Sequence, residues 1–273
     1  MFLASVFIAL FGLAIGSFLT VCIYRLPRKE SIIRPRSCCT NCGHAIRVRD
    51  NIPVISYILL KGKCRNCGHL LSWIYPTVEL LTAISFVLLF RKYEFDTAFF
   101  VNGIFFSMLI LLVFIDLYHR ILPNVITFGG VLAGLLLSPF QSIEFLHSQG
   151  SFQVAGWYAT SYVNSALGAL IGGGLLWLVA FLYLKLRRIE GLGLGDVKMM
   201  GMVGAFLGWQ YAWVTIFLGS VVGVLVGGLY IQVFQRGGRY ELPFGSFLGL
   251  AAIIVTLYGP DLLNWYTSAL SSS

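Results

Sequence analysis

Long apolar runs recur from one end of this chain to the other, and that recurrence decides what it can fold into. A helix crosses a bilayer with ~20 predominantly apolar residues. Runs of that grade lie at about 2–24, 75–93, 97–118, 123–141, 163–186, 197–210, 211–235 and 243–263. The run at 197–210 is short and reads as a half-helix or a tilted segment. Only 11% of the 273 residues are charged, against roughly 25% in soluble domains. The expectation is an all-α polytopic membrane protein with about eight transmembrane helices and one small polar loop domain. Three regions follow: a first transmembrane helix at 1–24, a loop at 25–74 and a helical bundle at 75–273. The first run has no Lys or Arg before it and Arg25 after it. That is the wrong polarity for a cleaved secretory signal, so the run is kept as a span.

Threading eight spans sorts the basic residues. Ten lie in 25–74, and Arg120, Lys185, Arg187, Arg188, Lys198, Arg236 and Arg239 fall on the same side. Only Arg91 and Lys92 fall opposite. The richer side is cytoplasmic by the positive-inside rule, which turns both termini outward. The net charge of +8 is therefore a topology signal. The basic residues are scattered among loops beside membrane lipid, so nucleic acid is not an expected partner. The GxxxG spacings Gly12/Gly16, Gly168/Gly172 and Gly219/Gly223/Gly227 read as helix packing. Nothing in the sequence specifies an oligomeric state.

The loop carries "CCTNCGH" and "GKCRNCGH". Cys39 and Cys42 form one CxxC knuckle, Cys64 and Cys67 a second, with 21 residues between the knuckles. That spacing suits one tetrahedral zinc ion held by four thiolates. Gly43 and Gly68 follow each knuckle, where a turn favours positive φ. Paired disulfides are the alternative, and a reducing cytoplasm disfavours them. Cys38 is a spare neighbour, His44 and His69 are solvated or support the ligands, and Cys22 is a small core residue. Four sulfurs close the coordination shell, so the zinc is structural, one per chain. It substitutes for a hydrophobic core in a loop too small to make one.

Ionisable groups inside spans are costly and point to function. Glu79 sits one turn into the second span, where it either snorkels to the interface or contacts a substrate or cofactor. Asp116 ends the third span in "LLVFIDLYHRILPN", and Asp196 opens a later one in "EGLGLGDVKMMG". Both fall at the cytoplasmic ends of spans, at one depth. Two adjacent carboxyls share a proton, because both cannot ionise cheaply. That is the condition for aspartic peptidase chemistry. Gly193 and Gly195 of the GxGD stretch would let backbone approach a substrate, with Lys198 just beyond. The plainer alternatives are an Asp116–Arg120 pair at i,i+4, and an Asp196 that pairs with Lys198 or Arg188 or caps a helix beginning at Val197.

The motifs together resemble the bacterial type 4 prepilin peptidases, the leader peptidase/N-methyltransferases of the GxGD aspartic peptidases. "GSFLTVCIYRLP", "NIPVISY", "GKCRNCG", "YPTVELLTA", "DLYHRILPNVIT", "GLGDVKMMG" and "LPFGSFLGLAA" occur in family order. Departures are mild: Thr20 stands where Asn is common, Met199 where Leu is usual and Ser246 where Pro is usual. The resemblance implies a bacterial inner-membrane enzyme that removes the leader from type IV prepilins and pseudopilins after a Gly, at the cytoplasmic face. It implies methylation of the new N-terminus from S-adenosylmethionine, in type IV pilus and type II secretion systems. Asp116 and Asp196 map onto its catalytic pair and Cys39, Cys42, Cys64 and Cys67 onto its zinc ligands. No soluble methyltransferase fingerprint is present. If the methyl transfer is present, the zinc loop is its expected home, with Asp50, Gly62, Lys63 and Glu79 as candidates for shaping the cofactor site. Two other classes stay open: a GxGD protease that cuts deeper inside its substrate helix, and a proton- or ion-coupled transporter.

Overall fold

A computed structural model describes residues 2–141, 157–188, 192–234 and 243–271. The order is α1 (Phe2–Arg25), α2 (Ile55–Leu59), α3 (Ile74–Tyr93), α4 (Thr97–His119), α5 (Asn124–Leu137), α6 (Trp157–Arg187), α7 (Leu194–Leu207), α8 (Trp209–Phe234) and α9 (Phe244–Ser271). Two isolated β-bridges in the polar loop are the only extended pairing among the described residues. Among the described residues, six helices are long and apolar enough to cross a membrane, making this a multi-pass membrane protein. The remaining two expected spans are shorter: the apolar stretch Asn124–Phe140, and α7 with 14 residues. At 1.5 Å per residue α7 reaches only part of a ~30 Å hydrocarbon layer. Arg236 and Arg239, and Leu242 at the start of the closing motif, lie outside the described residues.

The chain forms two compact units, Met1–Leu111 and Leu112–Ser273. In the first, small residues bring α1 against α3. A Cβ at Gly12 would lie 2.7 Å from Ala83 Cα, and one at Gly16 the same distance from Glu79 Cα. Glycine is required there by backbone approach, as the GxxxG spacing suggests. Arg25 is buried at the end of α1, where Nη1 donates to Ser31 O (2.9 Å) and Nη2 to Pro35 O (2.8 Å). Those carbonyls turn the chain out of the helix into the loop.

The second unit is organised around α7, which packs against α5, α6, α8 and α9. Ten of its fourteen residues are buried, among them Met199, Met200, Met202 and Phe206. Gly168 of α6 and Gly204 of α7 meet backbone to backbone, and Ser165 Oγ donates to Ala205 O at 2.6 Å. Gly208, at φ +81°, breaks the chain between α7 and α8. The start of α7 differs from the expectation. The helix begins at Leu194 rather than Val197, because Gly193 is extended (φ −73°, ψ 138°) and turns the chain three residues earlier. Asp196 therefore stands within the first helical turn instead of in front of it.

Candidate active site and metal centre

Asp116, Asp196 and Ser246 meet in the second unit, from three separate helices. α4 carries Asp116 in its last turn, just before Arg120 adopts φ +53° and ends the helix. α7 carries Asp196 in its first turn, and α9 carries Ser246 in its own first turn. Both carboxyls are buried, Asp116 at 5% exposure and Asp196 at 9%. Gly245 marks how close they come. A Cβ there would stand 2.9 Å from Asp196 Oδ1 and 3.1 Å from Asp116 Oδ2, so one atom-sized volume touches both carboxyls.

Asp116 is held by Ser246 with the Arg120 charge acting on it as well, and the Asp196 carboxyl sits against the Gly193 backbone. Ser246 donates twice to Asp116 Oδ2, from its backbone N–H at 2.7 Å and its Oγ at 2.9 Å. Lys198 turns away from Asp196 and donates from Nζ to Asn124 Oδ1 at 2.9 Å, tying α7 to the start of α5. The two glycines of the GxGD stretch differ. A Cβ at Gly195 would press on the Leu122 side chain at 3.1 Å, whereas one at Gly193 would meet Asp196 Oδ2 at an ordinary 3.4 Å. Ser246 and Gly245 escaped the sequence reading. The signal was their place in "LPFGSFLGLAA", but nothing local says that this motif folds onto the aspartates.

In the first unit, the four knuckle cysteines converge, with their Sγ atoms all within 4.8 Å of one another. The knuckles are near copies. Cys39 N donates to His44 O and Gly43 N to Cys39 O, both at 2.9 Å. Cys64 N donates to His69 O at 2.8 Å and Gly68 N to Cys64 O at 2.9 Å. Gly43 and Gly68 take φ +68° and +70°, the left-handed turn that glycine accommodates. Each Asn reaches across to the other knuckle: Asn41 Nδ2 to Cys67 Sγ and Asn66 Nδ2 to Cys42 Sγ, both at 3.8 Å. Four sulfurs set tetrahedrally at ~2.3 Å from an ion stand roughly 3.8 Å apart, and Cys39 and Cys67 are 3.8 Å apart. The cysteines are free thiols, and Cys38 stays outside the cluster. Backbone N–H groups of Cys67 and Asn66 lower the Cys64 thiol to about 7, and that of His44 lowers Cys42. The group fits a metal ion such as zinc. Buried Cys22 lies apart in α1.

The four residues considered for a cofactor have other partners. Asp50 is gripped by Arg65, whose Nη2 donates to Oδ1 at 2.7 Å and whose Nε reaches both carboxylate oxygens. Glu79 is buried, and its Oε2 accepts the Val54 N–H at 2.7 Å, which anchors the loop to α3. Gly62, at φ +67°, sits against the Tyr57 hydroxyl, and Lys63 pairs with Leu70 at the base of the second knuckle.

Comparison with known proteins adds identity to this scaffold. Residues 10–93 match the Bacterial Peptidase A24 N-terminal domain, and residues 103–228 match the Type IV leader peptidase family. The class is thus a multi-pass membrane peptidase. Relatives of nearly equal length carry the name prepilin leader peptidase/N-methyltransferase. That of Aeromonas salmonicida (strain A449) is 32% identical over 286 residues, covering 96% of this chain and 93% of its own. That of Legionella pneumophila is 32% identical over 287 residues (95% and 93%), and that of Pseudomonas aeruginosa 30% over 280 (94% and 91%). No solved structure matches the chain. The chain belongs to the type IV leader peptidase family.

Proposed function

We infer that this protein removes the leader peptide from type IV prepilins and pseudopilins by aspartic peptidase chemistry. Asp116 and Asp196 are the catalytic pair, and the new N-terminus is then methylated. The observation that carries the reading is the approach of these two buried carboxyls on either side of Gly245. Two carboxyls so close hold one proton between them. The ionised member takes a proton from water as its oxygen attacks the scissile carbonyl, and the protonated member gives a hydrogen bond to that carbonyl. Collapse of the tetrahedral adduct expels the leaving amine, which takes a proton from the pair. The apolar helix of a prepilin would lie among the spans, with its basic leader on the cytoplasmic side.

Zinc is the metal that four thiolates at this spacing best suit, in a structural role, because four sulfurs leave no coordination position for a substrate. S-adenosylmethionine would supply the methyl group to the freed amine. The relatives' names support this second activity, and the same likeness supports a place in the bacterial inner membrane.

The test is a cleavage assay with detergent-purified protein and a prepilin bearing a Gly–Phe junction, with and without S-adenosylmethionine. The expected product starts at Phe and gains one methyl mass only when the donor is present. A cut well inside the hydrophobic helix would favour a different intramembrane protease. No cut by folded protein across several prepilins would overturn the reading.

A further inference from the structure

Asp116 and Asp196 are not held alike. Among the described residues, both hydrogen bonds to the Asp116 carboxyl end on the same oxygen, Oδ2, and both come from Ser246. The backbone N–H involved is one of the first of α9, which have no partner inside the helix. The positive end of the helix dipole also faces the carboxyl. The N–H lies 3.2 Å from Pro243 O as well, and the hydroxyl 3.2 Å from Val113 O, so the Asp116 oxygen is the nearer acceptor for both. Ser246 is 1% exposed, so its hydroxyl is shielded from bulk solvent. On Asp196 the protein places the backbone of Gly193.

We propose that Ser246 is a positioning residue of the peptidase step, holding Asp116 by one carboxyl oxygen so that the other is aimed at the attacking water. The inference rests on the peptidase reading above. Two donors on one oxygen stop the carboxyl from rotating about its Cβ–Cγ bond, and Gly245 beside it leaves room for the partner. The Oδ1 lone pairs then stay available to receive the proton of water. Ser246 does not touch the reacting atoms and acts only through Asp116.

The test measures cleavage of a Gly–Phe prepilin by wild type, Ser246→Ala and Ser246→Thr. Alanine keeps the backbone donor and removes the hydroxyl; threonine keeps both. Ser246→Ala is expected to lower kcat by about 10- to 100-fold, the scale for a misoriented catalytic group, with KM within about twofold. Ser246→Thr is expected to recover most of the loss. Unfolding temperature and elution volume matching wild type would show that the fold is intact. Should Ser246→Ala unfold, Ser246→Cys carries the same test through its weak S–H donor and is expected to fall well below wild type. Wild-type turnover in a folded Ser246→Ala or Ser246→Cys, or a threonine variant as slow as alanine, would overturn the positioning role alone. Wild type that cuts no prepilin would overturn the peptidase reading and the role with it.

Discussion

The cysteine cluster and the carboxyl pair are built in opposite ways. All four sulfurs come from one loop, between residues 39 and 67, in two nearly identical hairpins. The acidic site draws on three helices, and Asp116 and Ser246 stand 130 residues apart in the chain. The first is local and repeats its own hydrogen bonds. The second exists only when α4, α7 and α9 are packed. A local site should therefore fail by losing its ligand, and an assembled site by losing its alignment.

The largest effect is expected where chemistry is removed and packing kept. Asp116→Asn and Asp196→Asn should each lower cleavage by about a thousandfold or more, within the range of general acid–base catalysis. Metal content and unfolding temperature should stay at wild-type values. Near-normal cutting by either variant would break the comparison outright. Next comes Gly245→Ala. Its methyl group would sit 2.9 Å from one carboxyl and 3.1 Å from the other, forcing them apart. A loss of about 100-fold in kcat is expected from such a displacement. Steady-state kinetics on the folded variant would check it.

In the loop, Cys64→Ser should reduce bound zinc from about one per chain toward zero, measured by metal analysis. It should also lower the unfolding temperature, since metal binding contributes directly to folding in such small sites. The aspartates should keep their intrinsic chemistry on a substrate that does not need the loop. The smallest effect belongs to Lys198→Met, which removes the bond to Asn124. For a partly exposed contact a loss of about 1 kcal/mol or less is expected, a shift of a few degrees in thermal unfolding. A large loss of cleavage from this variant would mean that Lys198 also serves the site.

What the sequence disclosed follows the same division. The cysteine knuckles were legible because "CTNCGH" and "CRNCGH" hold their ligands and turns within a few residues. The depth shared by Asp116 and Asp196 was legible from topology, since charge asymmetry fixes which span ends lie together. Their mutual approach needed packing. Gly245 and Ser246 belong to a motif whose role appears only when α9 folds onto α4 and α7. Glu79 illustrates another limit. A buried acid in a span is costly under any reading, and only the fold reveals that it receives the Val54 N–H. The start of α7 was misjudged for a local reason, because a glycine run does not announce which of its members is extended.

The burial of α7 separates the reacting centre from its solvent. Ten of fourteen residues touch other helices rather than acyl chains. A thicker or thinner bilayer can tilt α6, α8 or α9, but it reaches Asp196 only after those neighbours have absorbed the strain. The helix that holds the acid is too short to register membrane thickness by its own length. Across lipids of different chain length, substrate entry should respond before the chemical step does.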